Sequence, residues 1–78
     1  MKYSSNEILR MGEVDFTKVF SNKYVSIILK DGSSNVGIIE EIGVSACRNI
    51  DTEENLPVAI RVNGKNINIF DIVSIEIA

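Results

Sequence analysis

Few side chains in this chain are equipped for chemistry. It has no His and no Trp, and Cys47 is its only cysteine, which removes the residue sets behind most nucleophilic and metal sites. Cys47, between Ala46 and Arg48, has neither a base to activate it nor a second thiol to resolve it, and reads as an inert buried thiol. Glu40 and Glu41 are adjacent on a strand pattern and point to opposite faces, so they cannot act as an acid–base pair. Asp51, Glu53 and Glu54 supply oxygen ligands for a hard cation but lack the alternating ligands and central glycine of a calcium loop, and read as a solvated loop. No catalytic residue, metal site or cofactor is expected, and the enzyme class is set aside. Binding chemistry remains. The Arg61 guanidinium can stack on a base or fork a phosphate, or can face solvent between core positions Ile60 and Val62. Tyr24 and Phe70 offer rings to single-stranded nucleic acid, or close the core and fill an interface. Lys65 is the cation nearest Arg61 in sequence.

The whole-chain charge limits what such groups can bind. Eight Lys and Arg stand against 11 Asp and Glu, a net charge of -3, which supplies too few phosphate neutralisations for non-specific binding to duplex DNA. Apolar runs such as Ile27-Ile28-Leu29 are too short to span a bilayer, and Met1 to Arg10 lacks the apolar run of a signal peptide. With one unpaired cysteine as well, the expected compartment is the cytoplasm and no membrane partner is expected. A chain of 78 residues holds one domain, and at this size folding buries only about 60% of the unfolded surface. Without an internal disulfide, self-association is the expected aid to stability, so a homo-oligomer is the first expected partner.

The elements that must carry these residues follow from the aliphatic choice. Thirteen Ile and 8 Val against 3 Leu favour the pleated surface of a sheet. Residues 1–22 differ and read as a helical lid: Ser4-Ser5-Asn6-Glu7 is a capping box opening a helix over 5–11, and Asp15 caps a second turn from Phe16 to Phe20. From Lys23 the period becomes two, and residues 23–78 read as five strands. Val25, Ile27 and Leu29 alternate up to the Asp31-Gly32 turn. Val36 to Ile42 follows, with Gly37 at a bend and either Ile38 or Ile39 left outside the core. Val58 to Val62 leads into Asn63-Gly64, whose residues tolerate the positive φ of a type I′ hairpin. Lys65 to Phe70, a corner at Asp71-Ile72, and Val73 to Ile77 complete the set. The expected core is Val25, Ile27, Leu29, Ile60, Ile67, Ile69, Val73 and Ile75.

The stretches Val25-Ser-Ile-Ile-Leu-Lys-Asp31-Gly32, Gly37-Ile-Ile and Ile67-Asn-Ile-Phe-Asp-Ile72-Val-Ser-Ile75-Glu-Ile77 resemble the Sm/LSm-like family of SH3-type barrels over roughly residues 5–78. The acidic Asp51-Thr-Glu-Glu54 stretch is similar to a loop of small bacterial members of unassigned role. The resemblance implies a small five-stranded bent antiparallel barrel with a short N-terminal helix. It also implies rings in which the fourth strand of one copy pairs with the fifth of the next, which places Ile67, Ile69, Phe70, Val73 and Ile75 at an interface. Counting from Gly37, the family's base-binding Asp and Asn fall at Gly43 and Cys47, so Arg61 alone carries over, with Lys65 and Tyr24 as its companions in RNA binding. Surplus apolar surface from Ile28 and one of Ile38 and Ile39 points to a self-assembling scaffold with a further, unidentified protein partner. An RNA-binding ring with weak affinity for single-stranded RNA is the alternative.

Overall fold

The structure is a computed structural model and describes residues 1–48 and 53–78, with the side chains of Cys47 and Arg48 also outside the description. The readings of Cys47 as a buried thiol and of Asp51 as a loop residue therefore lie outside the described residues. The elements run β1 (Lys2–Ser4), α1 (Ser5–Leu9), α2 (Glu13–Phe20), β2 (Tyr24–Leu29), β3 (Ser34–Arg48), β4 (Asn55–Val62), β5 (Lys65–Asn68), a 3₁₀ turn (Ile69–Asp71) and β6 (Ile72–Ile77). Among the described residues, six strands form one antiparallel sheet in the order β1-β6-β2-β3-β4-β5. Mainly β architecture thus holds, with two corrections: there is a sixth strand before the helices, and the sheet keeps two edges, at β1 and β5, rather than closing into a barrel.

The helices start where the sequence places them. At α1 the capping box is complete: the Ser4 hydroxyl accepts the Glu7 N–H at 3.4 Å and the Glu7 carboxylate accepts the Ser4 N–H at 3.1 Å. The second helix begins earlier than expected, with Gly12 at its cap and no side-chain bond there, so Asp15 lies inside the first turn. Phe16 and Phe20, one turn apart, enter the core with ring centroids 4.7 Å from each other, and Tyr3 meets Phe20 edge-on at 5.2 Å.

β3 is the longest strand because it serves both halves of the sheet. Ser34 to Ile38 pairs with β2, and Ile39 onward pairs with β4 through a ladder broken by bulges. Gly37 sits just before the handover. A Cβ there would lie 3.0 Å from the Asn63 Oδ1 and 3.1 Å from Val62 Cγ1, so a larger residue would have to push the side chains at the hairpin end of β4 aside. That end is tied down twice: Asn63 Nδ2 donates to the Val36 carbonyl at 2.8 Å, and the Gly64 N–H donates to Glu40 Oε1 at 2.8 Å. Asn63 and Gly64 both have positive φ, 53° and 73°, as a type I′ turn requires.

The core holds Ile8, Phe16, Phe20, Val25, Ile27, Ile39, Ile60, Val62, Ile67, Ile69, Ile72 and Ile75. Two expected members differ. Leu29 is half-buried. Val73 is exposed because β6 carries a bulge: Ile28 pairs with Ser74 while Leu29 pairs with Ile72, so Val73 is the inserted residue and Ile72 takes the inward position. Strand alternation cannot reveal such an insertion. Among the described residues, no helix is long and apolar enough to cross a membrane.

Candidate functional site

Arg61 lies on the outer face of β4 opposite Glu41 of β3 and Asn66 of β5. Its guanidinium forms an ion pair with Glu41 at 3.1 Å and its Nε donates to Asn66 Oδ1 at 3.3 Å. These residues, with Gly43, Ala59 and Ile60, line an open depression of about 240 Å³. The arrangement presents one charge already compensated by a carboxylate, so an incoming phosphate would compete with Glu41 for the same donors. Asn66 was legible in principle: Arg61 and Asn66 sit symmetrically about Asn63-Gly64, and a two-residue hairpin makes such residues cross-strand neighbours.

The other two residues of the expected RNA site lie apart from Arg61: Lys65, opposite the buried Val62, belongs to the other face of the hairpin, and Tyr24 stands on a different pair of strands. Lys65 pairs with Val62 at the base of the hairpin, and its charge is felt by Asp31. The Asp31 carboxyl is held below its ordinary value, first by the Ser33 hydroxyl at 2.6 Å, then by the Ser33 N–H at 2.9 Å, with Lys65 adding a smaller attraction. Tyr24 stands on β2, directly opposite Ile38, in a separate depression with Ser26, Val36, Glu76 and Ile77. The depressions around Tyr24 and around Arg61 share no lining residue.

Tyr24 belongs instead to an apolar surface. The β2–β3 ladder puts Tyr24 beside Ile38, Ser26 beside Val36 and Ile28 beside Ser34, and Tyr24, Ile38, Val36 and Ile28 are 55%, 49%, 41% and 36% exposed. The choice between Ile38 and Ile39 is thereby made: Ile39 enters the core and Ile38 joins the outer face. A second apolar concavity, about 160 Å³, lies between Leu9 and Met11 of the helical segment and Leu56, Pro57, Ile69 and Phe70.

Of the residues the resemblance places at an interface, Ile67, Ile69 and Ile75 are buried in the chain's own core, whereas Phe70 and Val73 are exposed. The implied ladder of Lys65 to Phe70 on Val73 to Ile77 between copies also meets an obstacle. β6 is not an edge: β2 flanks one side and β1 the other, with Lys2 opposite Glu76, Tyr3 opposite Ile75 and Ser4 opposite Ser74. Nothing in the sequence signals β1, because three residues, Lys2-Tyr3-Ser4, are too few for a period to appear. No group of three or more potential metal ligands occurs among the described residues. Comparison with protein-family models, with curated proteins and with solved structures gives no match for this chain.

Proposed function

We propose that this chain is a small Sm-like module that works as a self-assembling protein-interaction scaffold, not as an enzyme. Its fold reading rests on the succession of five strands after a short helix, with a single tight 3₁₀ turn joining the last two. The observation that carries the function is the apolar outer face of β2 and β3. Cross-strand neighbours Tyr24 and Ile38, flanked by Val36 and Ile28, are all exposed, from 36% to 55%, and a contiguous patch of this kind is stabilised when another surface covers it. A second copy is the first occupant. Sedimentation equilibrium at tens of micromolar should give a mass above that of one chain, and Ile38→Lys, which places a charge at the centre of the patch, should return it to the monomer. A parent chain that stays monomeric across this range overturns the reading.

Weak single-stranded RNA binding is the second reading, supported by the open depression that Arg61 shares with Asn66. It is the lesser one because Glu41 already neutralises Arg61. Fluorescence anisotropy with U-rich and A-rich oligomers at two salt concentrations separates the two: salt-sensitive binding lost in Arg61→Ala supports RNA, and no binding at low salt leaves the scaffold.

A further inference from the structure

We infer that β1 is a built-in cap on the edge of β6, and that when it leaves, β6 pairs with β6 of a second copy. The contrast between the strands at this sheet's margins carries the argument. β5 protects its own edge: it is four residues long, begins with Lys65 and exposes Asn66 and Asn68. β6, Ile-Val-Ser-Ile-Glu-Ile, has six residues, one charge, and neither Pro, Gly nor Lys, the composition of a segment that recruits further strands. What covers it is Lys2–Ser4, a short strand with a lysine.

The attachment of β1 is narrow. The Ile77 N–H donates to the Met1 carbonyl at 2.8 Å and the Met1 ammonium reaches the Ile77 carbonyl at 3.4 Å. Antiparallel pairs alternate between bonded and non-bonded, so Tyr3 and Ile75 form the next bonded pair, and the Tyr3 ring packs edge-on against Phe20.

The same alternation selects the partner strand. The residues whose backbone groups β6 turns toward β1 are Ile75 and Ile77, which carry inward side chains. On β5, Val62 and Lys65 close the two-residue hairpin as a bonded pair, so the outward groups belong to Asn66 and Asn68, whose side chains are exposed. Directly opposed residues share a face, and β5 of another copy would set Asn against the Ile75 side. A second β6 matches. With Ile75 opposite its twin, each Ser74 meets a Glu76; shifting so that Ile75 meets Ile77 would oppose the two Glu76 carboxylates. The product is a two-fold, isologous dimer.

The inference takes from the proposed function only that the partner is a second copy, and Ile38→Lys separates the two, since it acts on the outer face and not on the edge. Tyr3→Pro in the full chain removes both the backbone donor and the ring contact. Placed in the Ile38→Lys background, it should raise the mass by sedimentation to about twice that of Ile38→Lys alone, and adding Ile77→Pro, which deletes an outward donor of β6, should reverse the gain. Hydrogen exchange gives a readout independent of mass: the Ile75 and Ile77 amides should lose protection in dilute Tyr3→Pro and regain it as concentration rises. If Tyr3→Pro lacks the sheet signal in far-UV circular dichroism, Tyr3→Ala, which keeps the donor, takes its place under the same readouts. A folded variant whose mass and amide protection do not depend on concentration overturns the inference.

Discussion

The Ser33 hydroxyl and N–H both bond the Asp31 carboxylate, and this turn gives the chain a titratable contribution to stability. Hydrogen bonds to the charged form lower the folded-state value of Asp31, so the contribution is complete above the ordinary aspartate value of about 3.9 and is lost as pH falls through the lower folded value. The melting temperature of the parent should exceed that of Ser33→Ala at neutral pH, and the gap should close on acidification below the ordinary value. Arg61→Ala should move stability by less than about 1 kcal/mol in urea denaturation, since the ion pair with Glu41 is half in water. Asn35 offers the opposite sign: its Nδ2 is buried and finds no acceptor, on the face that Ile27 shares by register. Asn35→Leu should stabilise the fold by on the order of 1 kcal/mol, because an unmet donor costs more than it returns. At this scale the sequence exposes the residue types but not their partners. Arg61 can be singled out from its neighbours, whereas the Glu41 that neutralises it faces it through a bulge in β3, between Ile39 and Glu41, that no local pattern announces.

Among the elements, those with a chemical signature were legible and those defined by long-range pairing were not. Ser4 and Glu7 announce α1, and Asn63-Gly64 announces its hairpin, because each is a local bond pattern that needs only the residues within it. The length of β3 depends on two partners far along the chain, and the inserted Val73 depends on how β6 fits Ile28 and Leu29. Ser4→Ala should cost about 1 kcal/mol through loss of the cap, visible as a lower urea midpoint at unchanged slope. Gly37→Ala should cost more, about 1–3 kcal/mol, because the added carbon has to displace Asn63 and Val62 side-chain atoms. It should also raise the exchange rate of the Gly64 amide, whose bond to Glu40 depends on the turn being seated.

In the molecule as a whole, β6 follows every other strand in chain order yet lies between β1 and β2. Its register joins Lys2 to Glu76 and Val25 to Ile77, contacts that close loops of most of the chain's length. Closing such loops costs entropy before the contacts return anything, so this half of the sheet, and not the β4–β5 hairpin, is expected to set the pace of folding. Two kinetic signatures follow. Substitutions that weaken the hairpin turn, such as Asn63→Ala, should act mainly on the refolding limb of a chevron plot, because a local two-residue turn forms before the long loops close. Tyr3→Ala should act on the unfolding limb, because a strand that can join only after β6 has docked contributes nothing to the transition state and is the first to be lost on the way out.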